Sequence, residues 1–196
     1  METLLWTVIG FLLGSIPFSL LLGKLIIHKD IRQYDDNNSG AVNVWKAGGS
    51  KVGIFALILD YLKGVIPVGI AYFVYKIPDW GLVAVALAPI LGHAFSPFLK
   101  FRGGKAITTT FGIWTGMTLW QGPTMLGAFL GISFIFRISD AWSVMMSMLG
   151  LLIYLMFYFV FWGFDHALFF IWMGNIMILA WKHHKDLRKF IRVRMN

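Results

Sequence analysis

The chain consists of long apolar stretches separated by short polar segments. The clearest apolar stretches cover residues 3–27, 52–75, 80–98, 141–162 and 168–181. A helix needs about 20 apolar residues to cross the hydrocarbon core of a bilayer, so each stretch predicts a membrane-spanning helix. Pro17 interrupts the first stretch and predicts a kink, which neighbouring helices or the Ser15 side chain would accommodate.

Residues 106–136 are apolar but less regular. The segment Gln121-Gly122-Pro123 divides this region into two parts, each short for a full bilayer. The region therefore predicts one of two arrangements. Either two short spans cross the membrane, or a re-entrant pair of helices enters and leaves on the same side.

The composition also indicates a membrane protein. Hydrophobic residues make up 58% of the 196-residue chain and charged residues 13%, and cysteine is absent. Soluble domains carry about 25% charged residues, and so few charges could not cover a water-exposed surface. We therefore expect an all-α integral membrane protein with a single domain over residues 1–196. The lack of cysteine excludes disulfides, thiolate metal sites and cysteine nucleophiles.

The positive charges are concentrated in particular loops. All but two of the 17 Lys and Arg residues lie at the end of the first span, in loops 29–51 and 100–105, at Arg137, or in the tail 182–196. Because short loops rich in Lys and Arg stay in the cytoplasm, an even number of crossings should separate Lys105 from Lys182. Four crossings give a seven-helix transmembrane bundle with the N-terminus outside and the C-terminus cytoplasmic. Five full spans plus a re-entrant pair is the alternative.

The first polar cluster lies in the long loop between the first two spans. Its sequence is Asp35-Asp36-Asn37-Asn38-Ser39-Gly40-Ala41-Val42-Asn43-Val44-Trp45-Lys46. These residue types are also typical of an ordinary solvated connection, but long loops in compact bundles tend to be functional. Asn43 and Lys46 would share one face of a helical turn. An amide beside a cation predicts a phosphate-binding pair there.

The second cluster is the loop Phe101-Arg102-Gly103-Gly104-Lys105, with Thr108 one turn further on. Glycines let backbone N–H groups approach an anion, the following helix directs its dipole at that anion, and Lys105 supplies charge. The spacing of a Walker loop is absent, and Gly-Gly-Lys also occurs in ordinary interface turns. Just upstream, His93 is an isolated histidine, more typical of a helix-end hydrogen bond than of acid–base catalysis.

The third cluster is Trp181-Lys182-His183-His184, at the start of the basic tail. An aromatic residue followed by cations is typical of a membrane anchor. We expect the formal net charge of +8 to serve topology and lipid headgroups, not nucleic acid. His183 can instead bind phosphate or relay a proton. The spacing of the histidines resembles no ligand set, so no metal site is expected.

Asp60 and Lys63 are charged residues within the second span. Three residues apart, they share a helical face and can pair, which reduces the cost of burying each charge. A structural pair and a role toward substrate are both open at this point.

Taken together, these clusters resemble a known family. In chain order, the matching residues are Gly14-Ser15-Ile16-Pro17, Asn38-x-Gly40-Ala41-x-Asn43-Val44, Asp60-x-x-Lys63-Gly64, Gly92-His93-x-Phe95, Phe101-x-Gly103-Gly104-Lys105-Ala106, and His183. Over nearly its whole length the chain resembles the PlsY family of bacterial acyl-phosphate-dependent glycerol-3-phosphate acyltransferases. The resemblance implies a seven-helix enzyme of the bacterial inner membrane with its active site at the cytoplasmic face.

The resemblance also implies a reaction in phospholipid biosynthesis. Acyl phosphate and glycerol 3-phosphate give lysophosphatidic acid and phosphate, with no cofactor and no protein nucleophile. On this basis the catalytic residues are expected to be Lys105, His183, Lys46 and Asn43. The substrate-binding residues are expected to be Gly103, Gly104, Asn38, Gly40, Thr108, Lys182 and His93.

The chain departs from the family pattern in two of its motifs. Asp36, Val42 and Lys46 stand where the family has serine, threonine and arginine. In the last motif, Lys182 replaces an arginine, Asp186-Leu187 replaces Asn-Ile, and the closing glycine and glutamate are absent. Lysine lacks the bidentate fork of arginine, and a carboxylate at Asp36 should weaken anion binding. A paralogue with another phosphorylated acceptor, or a non-catalytic transporter or interaction protein, is therefore the alternative.

Overall fold

A computed structural model describes residues 1–34 and 36–189, and all regular structure within these ranges is helical. The helices are α1 Glu2–Ser15, α2 Phe18–Ile26, α3 Ala41–Lys46, α4 Ser50–Gly69, α5 Asp79–Ala94, α6 Ile107–Thr118, α7 Gln121–Ile135, α8 Asp140–Trp162 and α9 His166–Leu187. A π-helical turn, Ile70–Val74, extends α4, and short 3-10 turns occupy Ile31–Gln33 and Pro97–Leu99. Asp35 and the end of the basic tail, residues 190–196, lie outside the described residues.

Four helical segments are long and apolar enough to cross a bilayer. They are Glu2–Ile26, Ser50–Val74, Asp79–Leu99 and Asp140–Trp162. They coincide with four of the five clear apolar stretches, and α7 is a shorter apolar helix. The prediction of an all-α, multi-pass membrane protein is confirmed.

The first span bends at Pro17, as its sequence predicts. Because Pro17 has no N–H, the Leu13 carbonyl accepts a hydrogen bond from the Ile16 N–H (3.2 Å) instead. The Ser15 hydroxyl donates to the Phe11 carbonyl at 2.7 Å, within its own helix. Polar side chains from other parts of the chain bind the carbonyls exposed at the bend. Ser96 Oγ donates to the Ser15 carbonyl at 2.6 Å, and Lys63 Nζ to the Ile16 carbonyl at 3.2 Å.

The region 106–136 forms two helices, but the break is not where the sequence predicts it. Leu119 and Trp120 separate α6 from α7, and Leu119 has a positive φ of 55°. Gln121, Gly122 and Pro123 form the first turn of α7, where a proline displaces no hydrogen bond because the first N–H groups have no partner within the helix. Thr118 Oγ1, at the end of α6, accepts a hydrogen bond from the Gly122 N–H of α7 at 3.0 Å and so links the two helices across the break.

Close packing of α4 against α6 fixes the position of the glycine loop, which leads into α6. A Cβ at Gly64 would lie 2.7 Å from the Thr109 carbonyl, and one at Gly112 would overlap the Tyr61 carbonyl. Small residues allow such close approach of membrane helices. In the same contact, the Thr109 hydroxyl donates to the Asp60 carbonyl at 3.1 Å. The start of α6 is thereby fixed beside the buried charges of α4.

Candidate active site

Lys105 joins three segments that are distant in sequence. Its Nζ lies 2.8 Å from Asp36 Oδ2, in the first loop, and 3.3 Å from Asp186 Oδ2, near the end of α9. Lys189 binds the other oxygen of Asp186 at 3.0 Å. The first loop, the glycine loop and the end of α9 therefore meet at one ammonium group, at a single end of the bundle.

The ion pairs at this site keep the Asp36 carboxylate and the Lys105 ammonium charged. Partial burial acts to raise the pKa of the Asp36 carboxyl, but the hydrogen bond and charge of Lys105 outweigh it, and this pKa lies below its usual value. Burial likewise acts to lower the pKa of Lys105, but the hydrogen bond and charge of Asp36, followed by those of Asp186, raise it above its usual value. The carboxylate and the ammonium both remain ionised across the neutral pH range.

Asn43 organises the first loop from inside. Its side-chain amide nitrogen lies 2.9 Å from the Tyr34 carbonyl, 2.8 Å from the Asn38 carbonyl and 3.2 Å from Asp36 Oδ1. The residue is only 2% exposed. Asn38 and Gly40 support the same turn: the Asn38 N–H donates to Asp36 Oδ1, and the Gly40 carbonyl accepts from the Asn43 N–H at the start of α3.

Lys46 lies at the opposite end of the short helix α3 and is exposed, as is Val42. Asn43 and Lys46 both belong to α3, three residues apart. The Asn43 amide is directed into the loop, where it donates to the Tyr34 and Asn38 carbonyls.

The two glycines allow their loop to pack against the end of α5. The Gly104 N–H donates to the His93 carbonyl at 3.0 Å, and a Cβ at Gly104 would overlap the His93 ring. A Cβ at Gly103 would overlap the His93 carbonyl. The glycines are therefore required for close packing, and the Gly104 N–H is already engaged. This differs from the expectation that it would point at an anion.

Lys182 holds the same loop from α9. Its Nζ lies 2.9 Å from both the Ala94 and the Gly103 carbonyls and 5.4 Å from the centre of the Phe95 ring. The ammonium therefore ties α9 to the end of α5 and to the glycine loop. Lys182, expected from the sequence to bind substrate, thus uses its ammonium in contacts within the protein.

His183 is 1% exposed, and within residues 1–34 and 36–189 neither of its ring nitrogens has a hydrogen-bond partner. It precedes Asp186 by three residues and shares its helical face. His184, in contrast, is exposed, with Nδ1 2.6 Å from the Trp181 carbonyl. Thr108 is partly exposed in the first turn of α6. An unpartnered buried imidazole beside the Lys105 ion pairs is the feature of this site that most needs a ligand.

A second polar group lies deeper, below the glycine loop. Asp60 accepts from Ser19 Oγ at 2.6 Å and pairs with Lys63 Nζ at 2.7 Å, and His93 Nδ1 is 3.8 Å from Asp60 Oδ1. The predicted Asp60–Lys63 pair is thus confirmed. Ser19 and Ser96 were not among the residues predicted for the site. Each is a hydroxyl close to a proline in an apolar stretch, and this pattern could have indicated them.

A small pocket connects this deeper group to the glycine loop. Its polar lining comes from Ser15, Ser39, Asp60, Lys63, His93 and Ser96, and Gly104 forms part of its wall. In the described ranges no three His, Asp or Glu side chains come together as metal ligands would. The site therefore combines cations, hydroxyls and imidazoles, which are suited to anionic and hydroxyl-bearing ligands, with carboxylates that pair with the cations.

Comparison with known proteins agrees with this chemistry. The family described as "Glycerol-3-phosphate acyltransferase" matches residues 4–193. Glycerol-3-phosphate acyltransferase 1 of Thermotoga maritima is 42% identical, over 94% of this chain and 95% of that protein. The Pelagibacter ubique glycerol-3-phosphate acyltransferase is 34% identical, over 96% and 94%.

Two solved structures have the same fold. Crystal structures of PlsY, an integral membrane glycerol 3-phosphate acyltransferase, are 28% identical and cover 96% of this chain and 91% of theirs. The TM-score is 0.82 for the glycerol 3-phosphate form and 0.77 for the lysophosphatidic acid form.

Proposed function

Because the chain belongs to the glycerol-3-phosphate acyltransferase family, we propose that it transfers an acyl group from acyl phosphate to glycerol 3-phosphate. The family match confirms the resemblance found in the sequence. The two related PlsY structures are described as a glycerol 3-phosphate form and a lysophosphatidic acid form. The donor is inferred from the PlsY-type motifs.

In this reaction a hydroxyl oxygen of glycerol 3-phosphate attacks the acyl carbon. The new C–O ester bond forms as the C–O bond to phosphate breaks, and the hydroxyl proton leaves on the phosphate. Acyl phosphate is a mixed anhydride with a good leaving group, so the enzyme needs cations and positioning more than a nucleophile. The main structural support for the proposal is the position of the Lys105 ammonium, which lies where three segments of the chain meet.

The residues divide into those that contact substrate and those that position them. We assign Lys105 and His183 to the substrate phosphates, because one is a fixed ammonium and the other a buried imidazole without a partner. We also assign Thr108, partly exposed in the first turn of α6, and Lys46, exposed at the end of α3, to substrate binding. The positioning residues are Asn38, Gly40 and Asn43 in the first loop, and His93, Gly103, Gly104 and Lys182 around the glycine loop.

We further propose that residues 1–196 form one seven-helix domain of the bacterial inner membrane, with the N-terminus outside and the site at the cytoplasmic face. The Lys105–Asp186 contact supports an even number of crossings between them, since both groups lie at one end of the bundle. In this arrangement α6 and α7 each make one crossing. Both are short helices, so local thinning of the bilayer would accompany them.

Single cysteines introduced into the cysteine-free chain test this topology. An impermeant maleimide added to intact cells should label Gln121→Cys, because the seven-helix arrangement exposes the α6–α7 break outside. Lys76→Cys is the matched outside control, and Arg102→Cys should react only after the membrane is permeabilised. Labelling of Lys76→Cys without Gln121→Cys would indicate a re-entrant pair.

The activity itself is tested with the purified full chain in detergent. Palmitoyl phosphate and labelled glycerol 3-phosphate should give labelled lysophosphatidic acid and one phosphate per acyl group transferred. Palmitoyl-CoA, which has no phosphate leaving group at the acyl carbon, is the matched donor control and should give little product. Equal or higher rates with palmitoyl-CoA would contradict the proposed donor, and no product with either donor would contradict the proposed function.

A further inference from the structure

We propose that Asp36 and Asp186 determine specificity: they compete with the substrate phosphate for Lys105, so that the site selects a phosphate group with one negative charge over one with two. This inference rests on the proposed function, because it takes Lys105 as the group that receives the phosphate.

The competition follows from the geometry at the ammonium group. An ammonium has three N–H donors, and two carboxylates already lie 2.8 Å and 3.3 Å from Lys105 Nζ. Counting the residues that the structure describes, an arriving phosphate finds one donor free and must displace a carboxylate to gain a second. Each carboxylate also has a further partner. The Asn38 N–H and the Asn43 amide hold Asp36 Oδ1, and Lys189 holds Asp186 Oδ1.

The groups in contact with Lys105 favour a monoanion. Asp36 and Asp186 contribute two carboxylates, whose charges Lys105 and Lys189 balance, and the Lys182 ammonium donates to the Ala94 and Gly103 carbonyls. A dianionic phosphate has only acceptor oxygens, so it would face two carboxylates with no hydrogen to offer them. A monoanionic phosphate keeps one P–OH group, which can donate to a carboxylate while its other oxygens accept from Lys105. On the same face of α9 as Asp186, His183 has two ring nitrogens without a hydrogen-bond partner in residues 1–34 and 36–189, and it can supply a further contact.

Asp36 and Lys105 keep their charges over the pH range in which a phosphate ligand loses its second proton. The pKa of the Asp36 carboxyl is lowered and that of the Lys105 ammonium is raised, so both stay ionised between about pH 6 and pH 8. Phosphate monoesters lose their second proton near pH 6. Binding should therefore weaken as the pH rises above 6, because the ligand becomes a dianion.

Charge removal without a change of shape tests the inference. Asp36→Asn and Asp186→Asn should each lower the Kd of inorganic phosphate and the KM of glycerol 3-phosphate by about tenfold, equivalent to about 1.4 kcal/mol. In the double variant, the tighter binding of phosphate at pH 6 than at pH 8 should disappear. The matched control is Asp30→Asn, which removes a carboxylate of the same loop that pairs with Arg32 and should change either value less than twofold.

Inorganic phosphate binding, read from the unfolding temperature at increasing phosphate concentrations, separates this inference from the proposed function. Tighter phosphate binding in the Asn variants without any acyl transfer would support the carboxylate competition and contradict the proposed activity. Unchanged or weaker phosphate binding in both single variants would overturn the competition, even if the enzyme is active. In a Lys105→Ala background, Asp36→Asn should tighten binding much less than in the wild-type chain, and an equal effect would also overturn it.

Discussion

Lys105→Ala is expected to lower kcat/KM for glycerol 3-phosphate by about 100-fold to 1000-fold, the loss typical for removal of one group that stabilises developing charge. The substitution also leaves Asp36 and Asp186 facing each other without a cation between them, so the anion site becomes more negative. Steady-state rates with palmitoyl phosphate as donor measure the effect.

Two variants control for this experiment. Lys105→Arg keeps the charge and both ion pairs, so it should retain more activity than Lys105→Ala, although the planar guanidinium does not reproduce the ammonium geometry. Lys100→Ala removes an exposed lysine five residues earlier and should change the rate less than twofold. A Lys105→Ala enzyme with more than half of the wild-type kcat/KM would remove Lys105 from the reaction.

Asp60→Ala is expected to destabilise the folded protein by about 3–5 kcal/mol, as is typical when one partner of a buried ion pair is removed. The Lys63 side chain is 2% exposed, and among the described residues it would keep the Ile16 carbonyl and the Phe18 ring, 5.9 Å away, but no negative charge within salt-bridge distance. Ser19 would lose its acceptor as well. Thermal or denaturant unfolding in detergent micelles measures the change.

The double variant Asp60→Ala with Lys63→Met distinguishes an uncompensated charge from a simple cavity. Removing both charges should recover a large part of the lost stability, because the buried ammonium is no longer present. The exposed Asp30–Arg32 pair gives the matched comparison, and Asp30→Ala should cost less than about 1 kcal/mol. If the double variant is as unstable as Asp60→Ala alone, the ion pair does not account for the loss.

Much of the fold could be predicted from the apolar pattern, because a bilayer imposes one solution on long apolar stretches. The i, i+3 spacing of Asp60 and Lys63 was also sufficient to predict their ion pair. The break between α6 and α7 was misplaced because glycine and proline also fit the first turn of a helix. The positive φ of Leu119, where the chain does break, leaves no mark in the sequence.

The site was predictable as a set of segments but not as a set of contacts. Motif spacing identified the glycine loop, and the structure shows that its glycines pack against His93. The meeting of Asp186 with Lys105 joins residues 81 positions apart, and no local pattern reports a contact of that range. Similarly, the Asn43 amide was predicted to bind phosphate. In the structure its hydrogen bonds hold the loop that carries Asp36.

The bend at Pro17 also bears on how the protein assembles. The donors to its exposed carbonyls are Lys63 in α4 and Ser96 after α5, and both are synthesised later than the first span. The N-terminal span therefore enters the bilayer before its backbone can be fully hydrogen-bonded. Insertion of the second and third spans completes it, so these three segments mature as one unit, and the polar pocket that they enclose exists only once all of them are in the membrane.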